Sequence, residues 1–307
     1  MVSAIQAKRL VLGASGLIGQ ELIRYFGPIG TIGTSFTQNS PGLIPFDANT
    51  HSLDPLIKDL KPGSPVFFLI GMTEIDQCAR DPVGSRVLNV DLMINHLQII
   101  MTAGLLPIYM SSDSVFDGKE GNYVEESETK PLHLYGRQKL EIEKFLLKSA
   151  KPHLVLRLPK VVCSIPRKGT VFYEWVEAIK FGREIQCATD QVFSPISLSD
   201  LSRTVAKIID NREFGLFHLA GPEAWSRAGL FDLLVEELSR YGKLTHRMRR
   251  CSIHEFPQLL EDRPLNCSLN IGKLISVLGS QISIRPMREV CATVAKSIAI
   301  ASGSHSK

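Results

Sequence analysis

Short apolar runs alternate with amphipathic helical patterns along most of the chain. Residues 8–26 read KRLVLGASGLIGQELIRYF, which is a short apolar run, a glycine turn and an amphipathic stretch. Further apolar runs follow at 29–34, 43–46, 65–70 and 106–110. Runs of this length are typical of strands that are covered on both faces of a parallel sheet. Strands alternating with helices predict right-handed βαβ crossovers, so we expect an α/β fold with a doubly wound parallel sheet of the Rossmann type.

The first turn carries Gly13, Gly16 and Gly19, spaced G-x-x-G-x-x-G between the first strand and the first helix. Such a turn lets the backbone approach a pyrophosphate, whose charge then faces the N–H groups and the positive end of the helix. The spacing favours a nucleotide cofactor. A tight turn without a ligand is the alternative that the glycines alone leave open.

The end of the second strand indicates which cofactor is expected. Thr34, Ser35 and Thr37 stand there, with no Asp or Glu among them. An acid at this position would bind the ribose 2′-hydroxyl of NAD and repel a 2′-phosphate. Its absence favours NADP, while the lack of an evident Arg partner for that phosphate leaves NAD open. Gly71, Met72 and Thr73 follow the apolar run 65–70, at another strand end where we expect ligand contacts.

A serine-rich strand end and a Tyr-x-x-x-Lys pair carry the candidate chemistry. Ser111, Ser112 and Asp113 directly follow the run 106–110, and Tyr135 precedes Lys139 by four residues, which places both on one helix face. A lysine ammonium beside a phenol is expected to lower the pKa of the phenol, so that Tyr135 exchanges a proton at a carbonyl or hydroxyl that undergoes hydride transfer. The Ser112 hydroxyl would hydrogen-bond the same oxygen. An exposed helix pair without a function is the alternative for Tyr135 and Lys139.

Composition excludes several classes of protein. The 307 residues are 44% hydrophobic, and 35 basic against 31 acidic residues give a net charge of +4, too small and too dispersed to predict nucleic-acid binding. Six scattered cysteines form no C-x-x-C pair and no metal-ligand spacing with the eight histidines, so we predict a reduced cytoplasmic protein and assign no metal-binding residues. No signal peptide and no membrane-spanning run is evident.

Three segments together resemble the extended short-chain dehydrogenase/reductases: GASGLIG at 13–19, SSDSVFDG at 111–118 and YGRQK at 135–139. Within that superfamily the chain is similar to the dTDP-4-dehydrorhamnose reductases and to the related regulatory beta subunit of methionine adenosyltransferase. Asp190-Gln191 with Ser194-Pro195, and the RPLN segment at 263–266, support this likeness. The resemblance extends to about residue 290.

The resemblance implies specific roles for residues of this chain. Ser112, Tyr135 and Lys139 would form the catalytic triad, with Asp113 and Arg263 as substrate contacts. The cofactor would be held by the residues of the first turn and of the neighbouring strand ends: Gly13, Ser15, Gly16, Leu17, Ile18, Thr34, Ser35, Asp47 near the adenine, Gly71 and Met72, together with Tyr135 and Lys139. The implied reaction reduces a 4-keto group on a nucleotide-linked deoxysugar with NADP.

Two positions depart from the pattern of the family and bear on the substrate. Ser114 stands where the family often has tyrosine, and Gly71-Met72 where it has an Ala-Ala pair. Ser114 also argues against a sugar-nucleotide dehydratase, which would carry Glu there. An NADP-binding regulatory subunit of a partner enzyme and a nucleotide-sugar epimerase remain as alternatives, and a homodimer and a divalent metal remain open.

The second half is expected to bind the substrate. We predict a dinucleotide-binding domain over 1–162, rejoined by 192–220, a smaller α/β substrate-binding part over 163–191 and 221–300, and a frayed tail over 301–307. A helix is predicted over Val171–Lys180. Trp175 lies on a side of it where the indole either stacks on a base or sugar or packs in the core.

Overall fold

The structure is a computed structural model, and it describes residues 8–36 and 40–303. Thr37 of the predicted second strand end and residues 304–307 of the predicted tail lie outside the described residues. Two compact units divide the chain: residues 1–115, 129–157 and 205–217 form the first, and residues 116–128, 158–204 and 218–307 form the second.

The first unit is built around a seven-stranded sheet. Its strands and helices, in chain order, are β1 Arg9–Leu12, α1 Leu17–Phe26, β2 Thr31–Ser35, β3 Ile44–Pro45, α2 Asp54–Ile57, β4 Pro65–Phe68, α3 Ile75–Arg80, α4 Pro82–Arg86, α5 Leu92–Thr102, β5 Leu106–Ser112, α6 Leu134–Leu147 and β6 Leu154–Leu158. The strand β11 Gly215–His218 completes the sheet, in the order β11-β6-β5-β4-β1-β2-β3. The pairs β3–β2, β2–β1, β1–β4 and β4–β5 are parallel, as the apolar runs predict.

Burial explains why these short apolar runs form strands. Every residue of β6 is buried, and so are the first six residues of β5 and the last three of both β1 and β4. One face of the sheet packs on a core that includes Leu97 and Ile100 of α5 and Ile142 of α6. Strands without a solvent face need apolar residues at successive positions, which is the pattern read from the sequence.

The second unit has three small two-stranded sheets and its own core. Its elements are β7 Val161–Val162, α7 Val171–Lys180, β8 Glu184–Ala188, β9 Val192–Phe193, β10 Ile196–Ser197, β12 Trp225–Ser226, α9 Arg227–Ser239, β13 Arg247–Cys251, α10 Gly272–Leu278 and α11 Met287–Gly303; α8 Leu198–Asp210 begins in this unit and ends in the first. β10 pairs with β7 and β13 with β8 in parallel, whereas β12 and β9 are antiparallel. The helix predicted over Val171–Lys180 is α7 with those bounds.

The unit boundaries differ from the predicted domains at 116–128, at 158–162, which belong to the second unit, and in the later return to the first unit. Residues 116–128 belong to the second unit because their backbone pairs with 266–270: Asn266 N–H donates to Gly118 O at 2.8 Å, and Tyr123 N–H donates to Ser268 O at 2.9 Å. The chain rejoins the first unit at residue 205 and leaves it after residue 217, a shorter return than the predicted 192–220.

Two further observations concern function classes. Among the described residues, no helix combines the length and the apolar character that a membrane crossing requires. All six cysteines are buried thiols without a disulfide.

Candidate active site

The turn after β1 has a shape that only glycine allows at two of its three positions. Gly13 has φ +83°, and a Cβ there would lie 3.1 Å from the backbone carbonyl of Leu69 at the end of β4. A Cβ at Gly19 would lie 2.5 Å from Gly13 O and 2.6 Å from Ala14 Cα. The backbone of the turn therefore packs directly on the first turn of α1, which leaves room for a ligand instead of a side chain.

The N-terminus of α1 is free to bind an anion. Its N-cap residue, Gly16, provides no side-chain cap, and no acid occupies the first turn. The first N–H groups of a helix lack partners within the helix, and its dipole is positive at this end. The first turn begins at Leu17 and Ile18, two of the predicted pyrophosphate contacts. This turn fits the pyrophosphate of a dinucleotide.

A cavity of about 400 Å³ opens over this turn. Six of the predicted cofactor residues line it: Gly13, Ser15, Gly16, Thr34, Asp47 and Gly71. The sequence reading missed seven others, which are Phe36, Phe46, Ala48, Asn49, Leu69, Ile70 and Leu88. Two of these, Leu69 and Ile70, end the apolar run 65–70, so the rule that ligands lie at the carboxyl ends of the strands already pointed to them.

The end of β2 holds the turn in place and carries no acid. Gly13 N–H donates to Thr34 Oγ1 at 3.1 Å, and Ala14 N–H donates to Thr34 O at 2.7 Å. Ser35 is buried, and its hydroxyl lies 3.0 Å from that of Ser40. Thr34 and Ser35 therefore have structural roles beside their predicted place near the cofactor.

Asp47 lies on the rim of the cavity, held by its own loop. Asn49 N–H donates to Asp47 Oδ1 at 2.9 Å, and Thr50 Oγ1 donates to Oδ2 at 3.2 Å. The backbone hydrogen bond from Asn49 lowers the pKa of the Asp47 carboxyl, so an anionic acceptor faces the cavity.

Ser112, Asp113 and Tyr135 meet at the carboxyl end of β5. Ser112 Oγ donates to Asp113 Oδ1 at 3.0 Å, and Ser114 N–H donates to Ser112 Oγ at 3.2 Å. The Tyr135 phenol, on the first turn of α6, is near enough to Ser112 for that hydroxyl to lower the pKa of the phenol. Two hydroxyl groups on different elements thus lie together at a strand end, where a substrate carbonyl could accept from both.

Lys139 shares the helix face of Tyr135, but its ammonium points to the strand. Nζ donates to Met110 O at 2.8 Å and lies 4.8 Å from the ring centre of Tyr109 and 5.5 Å from that of Tyr135. Burial lowers the pKa of Lys139 to about 8, while the charge of Glu143 acts in the opposite direction. The ammonium is therefore largely retained at neutral pH.

The expectation that Lys139 lowers the pKa of Tyr135 is wrong. Burial raises the pKa of the Tyr135 phenol above its ordinary value, the Asp113 carboxylate raises it further, and the Ser112 hydroxyl only partly opposes them. Desolvation disfavours the phenolate because the side chain is only 9% exposed. Tyr135 is a neutral phenol at neutral pH, which is the form that donates a proton.

The first turn of α6 is fixed by two residues that the sequence reading did not single out. His133 is the N-cap, and its Nδ1 accepts from Gly136 N–H at 3.1 Å. Its ring stacks on Tyr135, with centroids 6.1 Å apart. A Cβ at Gly136 would overlap the carbonyl oxygen of Ser114. Glycine at this position lets the helix that carries Tyr135 lie directly on the serine loop.

A buried amide pair connects the end of β4 with α6. Asn89, in a π-helical turn at Val87–Asp91, accepts from Met72 N–H at 2.8 Å and donates to Met72 O at 2.9 Å. Asn89 Nδ2 also donates to Gln138 Oε1 at 2.8 Å, and Gln138 Nε2 donates to Ser85 Oγ at 2.9 Å. Gln138 precedes Lys139, so Met72 is joined by side-chain hydrogen bonds to the helix of the triad. Two amides separated by 49 residues show no local pattern, which is why the sequence reading missed them.

The predicted substrate contacts have different surroundings. Thr73 is exposed directly after Met72. Arg263 lies in the second unit, where Nη1 donates to Glu261 O at 2.8 Å. Trp175 is 2% exposed and packs in the core of the second unit, edge-on to Phe231 and tilted against Phe172. Its predicted role in stacking on a base or sugar is corrected, because the indole is buried and the Arg227 guanidinium lies over its ring, 5.6 Å from the ring centre.

No group of three or more His, Cys, Asp or Glu side chains that could hold a metal ion occurs in the part of the chain that the structure describes.

The chain is similar to a family of known proteins over most of its length. A family model described as RmlD substrate binding domain matches residues 7–299. The chain is 30% identical over 241 residues to dTDP-4-dehydrorhamnose reductase of Sinorhizobium fredii, an alignment covering 74% of this chain and 78% of that protein. It is also 30% identical over 277 residues to methionine adenosyltransferase 2 subunit beta of Xenopus tropicalis, covering 87% of this chain and 81% of that protein.

A solved structure shows the same fold. The dTDP-4-dehydrorhamnose reductase of Bacillus anthracis in complex with NADP matches with a TM-score of 0.77 at 19% identity, covering 93% of this chain and 97% of that chain. The doubly wound arrangement predicted from the apolar runs is confirmed by this likeness and by the observed sheet order.

Proposed function

Because the chain belongs to the family of the RmlD substrate binding domain, we propose that it is an NADP-dependent reductase of a nucleotide-linked 4-keto-6-deoxysugar. It would act on a C=O group as an oxidoreductase of the short-chain type. The observation that supports this most directly is the pair of neighbouring hydroxyls of Ser112 and Tyr135, with Lys139 on the helix face of Tyr135 and its Nζ 5.5 Å from the centre of the Tyr135 ring. A cavity lined by the glycine turn lies in the same unit.

In this proposal NADPH, when bound, supplies the hydride, and the chain supplies the proton. Tyr135 donates its phenolic proton to the carbonyl oxygen of the sugar as negative charge develops there. The Ser112 hydroxyl donates a hydrogen bond to the same oxygen. The raised pKa of Tyr135 supports a role as proton donor, since a neutral phenol is available at every pH below its titration.

Lys139 has a binding role in this reaction. Its ammonium would hold the nicotinamide ribose. Substrate contacts by Thr73, Asp113 and Arg263 are part of the same proposal.

The end of β2 favours NADP as the cofactor. No carboxylate is present there, and the described strand end carries only Thr34 and Ser35 before Phe36. A 2′-phosphate would meet no like charge from these residues, so NADPH should bind more tightly than NADH. The NADP-bound relative from Bacillus anthracis supports this choice. Calorimetric titration with both cofactors measures it, and tighter binding of NADH would reverse it.

The experiment that tests the proposal compares the protein as it exists with Tyr135→Phe. We expect NADPH-dependent reduction of a dTDP-4-keto-6-deoxysugar by the unaltered protein, and a fall in kcat of about 10²–10⁴-fold in the variant. Tyr241→Phe is the control, because that side chain is 55% exposed and removal of its hydroxyl should leave kcat unchanged. Equal turnover by Tyr135→Phe and the unaltered protein would refute the mechanism.

A regulatory subunit is the second candidate, and the likeness to methionine adenosyltransferase 2 subunit beta favours it. Such a protein would bind NADPH in the same cavity and keep the Ser112 and Tyr135 hydroxyls without turning over a sugar. Co-purification with a second enzyme whose kinetics change on binding, together with no reduction of any ketosugar, would support this candidate over the reductase.

The cell compartment and the assembly complete the proposal. Six buried free thiols fit a reducing cytoplasm, where disulfides are rare. We propose a homodimer as the assembly, which sedimentation equilibrium of the purified protein measures directly.

A further inference from the structure

A buried ion pair lies one helical turn beyond Lys139 on α6. Glu143 is fully buried and Arg157 is 3% exposed. Arg157 Nη2 donates to Glu143 Oε2 at 2.8 Å, and Arg157 Nε lies within hydrogen-bonding distance of both carboxylate oxygens, at 3.1 Å and 3.2 Å. Ser111, which is also buried, donates its hydroxyl proton to Glu143 Oε1. The carboxylate is thus held from two directions.

The three partners come from three adjacent elements of the candidate active site. Glu143 follows Lys139 by one helical turn on α6, so Tyr135, Lys139 and Glu143 share a face. Ser111 directly precedes Ser112 on β5, and Arg157 lies on β6, the neighbour of β5 in the sheet. One carboxylate therefore connects the helix that carries the phenol to the strand that carries the serine.

The same carboxylate is the acid that acts on the Lys139 ammonium. The groups that face Lys139 are Tyr135 and Glu143 from α6, Tyr109 and the Met110 carbonyl from β5, and the Cys78 thiol from α3. Of these side chains only Glu143 is a carboxylic acid. Burial lowers the pKa of Lys139 to about 8, and Glu143 opposes that fall. Removing its charge would leave Lys139 and Arg157 as two cations in one buried region.

We propose that Glu143 is a positioning residue of the reaction: its carboxylate pairs with Arg157, places a negative charge one helical turn from Lys139 and ties α6 to the strand end that carries Ser112. The role in turnover rests on the proposed function. The electrostatic role toward Lys139 is a property of the protein without ligand and is measured separately.

Three variants test this inference on the full chain. Glu143→Gln removes the charge while keeping the shape and an oxygen for Ser111. Because an unpaired buried Arg157 would destabilise the fold, the double variant Glu143→Gln with Arg157→Met removes both charges. Glu237→Gln is the matched control, since Glu237 is 1% exposed and paired with Arg240 and Arg288 in the second unit.

The first measurement is the pKa of Lys139, read by NMR from protein labelled with ¹³C at lysine Cε and assigned with Lys139→Met. We expect it to fall by about one pH unit in Glu143→Gln, which is the low end of the effect of a nearby opposite charge. In the double variant the Lys139 pKa should lie between its value in the unaltered protein and its value in Glu143→Gln. In Glu237→Gln it should equal the value in the unaltered protein. A Lys139 pKa unchanged in the double variant, or in a folded Glu143→Gln protein, would overturn the inference.

The second measurement is the pH profile of ketosugar reduction. In Glu143→Gln the alkaline limb of kcat should move to lower pH by the same amount as the Lys139 pKa, with a smaller change in KM. A purely structural role would lower the yield or the Tm without moving this limb, and that result also contradicts the inference. If the unaltered protein reduces no ketosugar, the proposed function fails, while the NMR titration still decides the role of Glu143.

Discussion

Replacement of Gly19 by alanine probes the packing of the glycine turn on α1. A Cβ at this position would lie 2.5 Å from Gly13 O, 2.6 Å from Ala14 Cα and 2.9 Å from Ala14 C. All three atoms belong to the backbone, so no side chain can rotate away to relieve the overlap. The turn and the helix would have to separate by about 0.9 Å to restore an ordinary contact distance.

This separation is expected to have a small effect on the stability of the fold and a larger effect on NADPH binding. Strain of this kind costs about 1–3 kcal/mol, and the higher helix propensity of alanine returns about 1 kcal/mol, so the net loss of stability is about 0–2 kcal/mol. This lowers the Tm by at most about 8 °C. A displaced helix N-terminus loses at least one hydrogen bond to a charged phosphate, about 1.5–3 kcal/mol, which weakens NADPH binding by about 10–100-fold.

Calorimetric titration with NADPH and thermal unfolding, both on the full chain, separate the two effects. Val294→Ala is the control, because Val294 is fully buried in the core of the second unit and its truncation should cost at least as much stability without changing NADPH affinity. If Gly19→Ala lost the expected stability but bound NADPH as tightly as the unaltered protein, the pyrophosphate would not lie at this turn.

Two other predictions follow from the geometry of α6. In Gly136→Ala the new Cβ would press on the Ser114 carbonyl and lie 2.9 Å from Pro131 Cβ. Because this displaces the helix that carries Tyr135, we expect kcat to fall by about tenfold with a smaller change in NADPH affinity. An unchanged kcat would contradict the close packing. Since the Lys139 ammonium deprotonates as the pH rises through about 8, its hold on NADPH should weaken by about tenfold between about pH 7 and pH 9, measured as Kd. Lys139→Met should bind weakly with no such dependence, and parallel slopes for the two proteins would show that another group titrates.

Local patterns in the sequence were sufficient for the elements and for much of the site. The apolar runs 65–70 and 106–110 predict β4 and β5 because strands buried on both faces require apolar residues at successive positions. The glycine spacing predicts a turn that the structure confirms at Gly13 and Gly19, where backbone lies too close for a side chain. The resemblance read from the segments 13–19, 111–118 and 135–139 is confirmed by the family match.

Burial and charge at the site depend on elements far apart in the chain, and the tertiary structure decided them. The i, i+4 spacing of Tyr135 and Lys139 predicts a shared helix face, but the raised pKa of Tyr135 results from the cover that other elements provide and from Asp113. Trp175 shows the same limit, since periodicity locates the side of a helix and only packing shows that Phe231 covers that side.

Contacts between residues that are far apart in the sequence could not be predicted from local patterns either. Only three residues separate the end of β5 from residues 116–128, yet these belong to the second unit because they pair with 266–270. The carboxylate of Glu143 on α6 pairs with Arg157 on β6, and no periodic pattern in the sequence predicts that pair. The sequence by itself determined which segments become strands and helices and which residue types reach a strand end, because those depend on near neighbours. The tertiary structure decided which of these side chains are buried and which are charged, because desolvation and Coulomb interactions depend on all the groups that lie nearby in space.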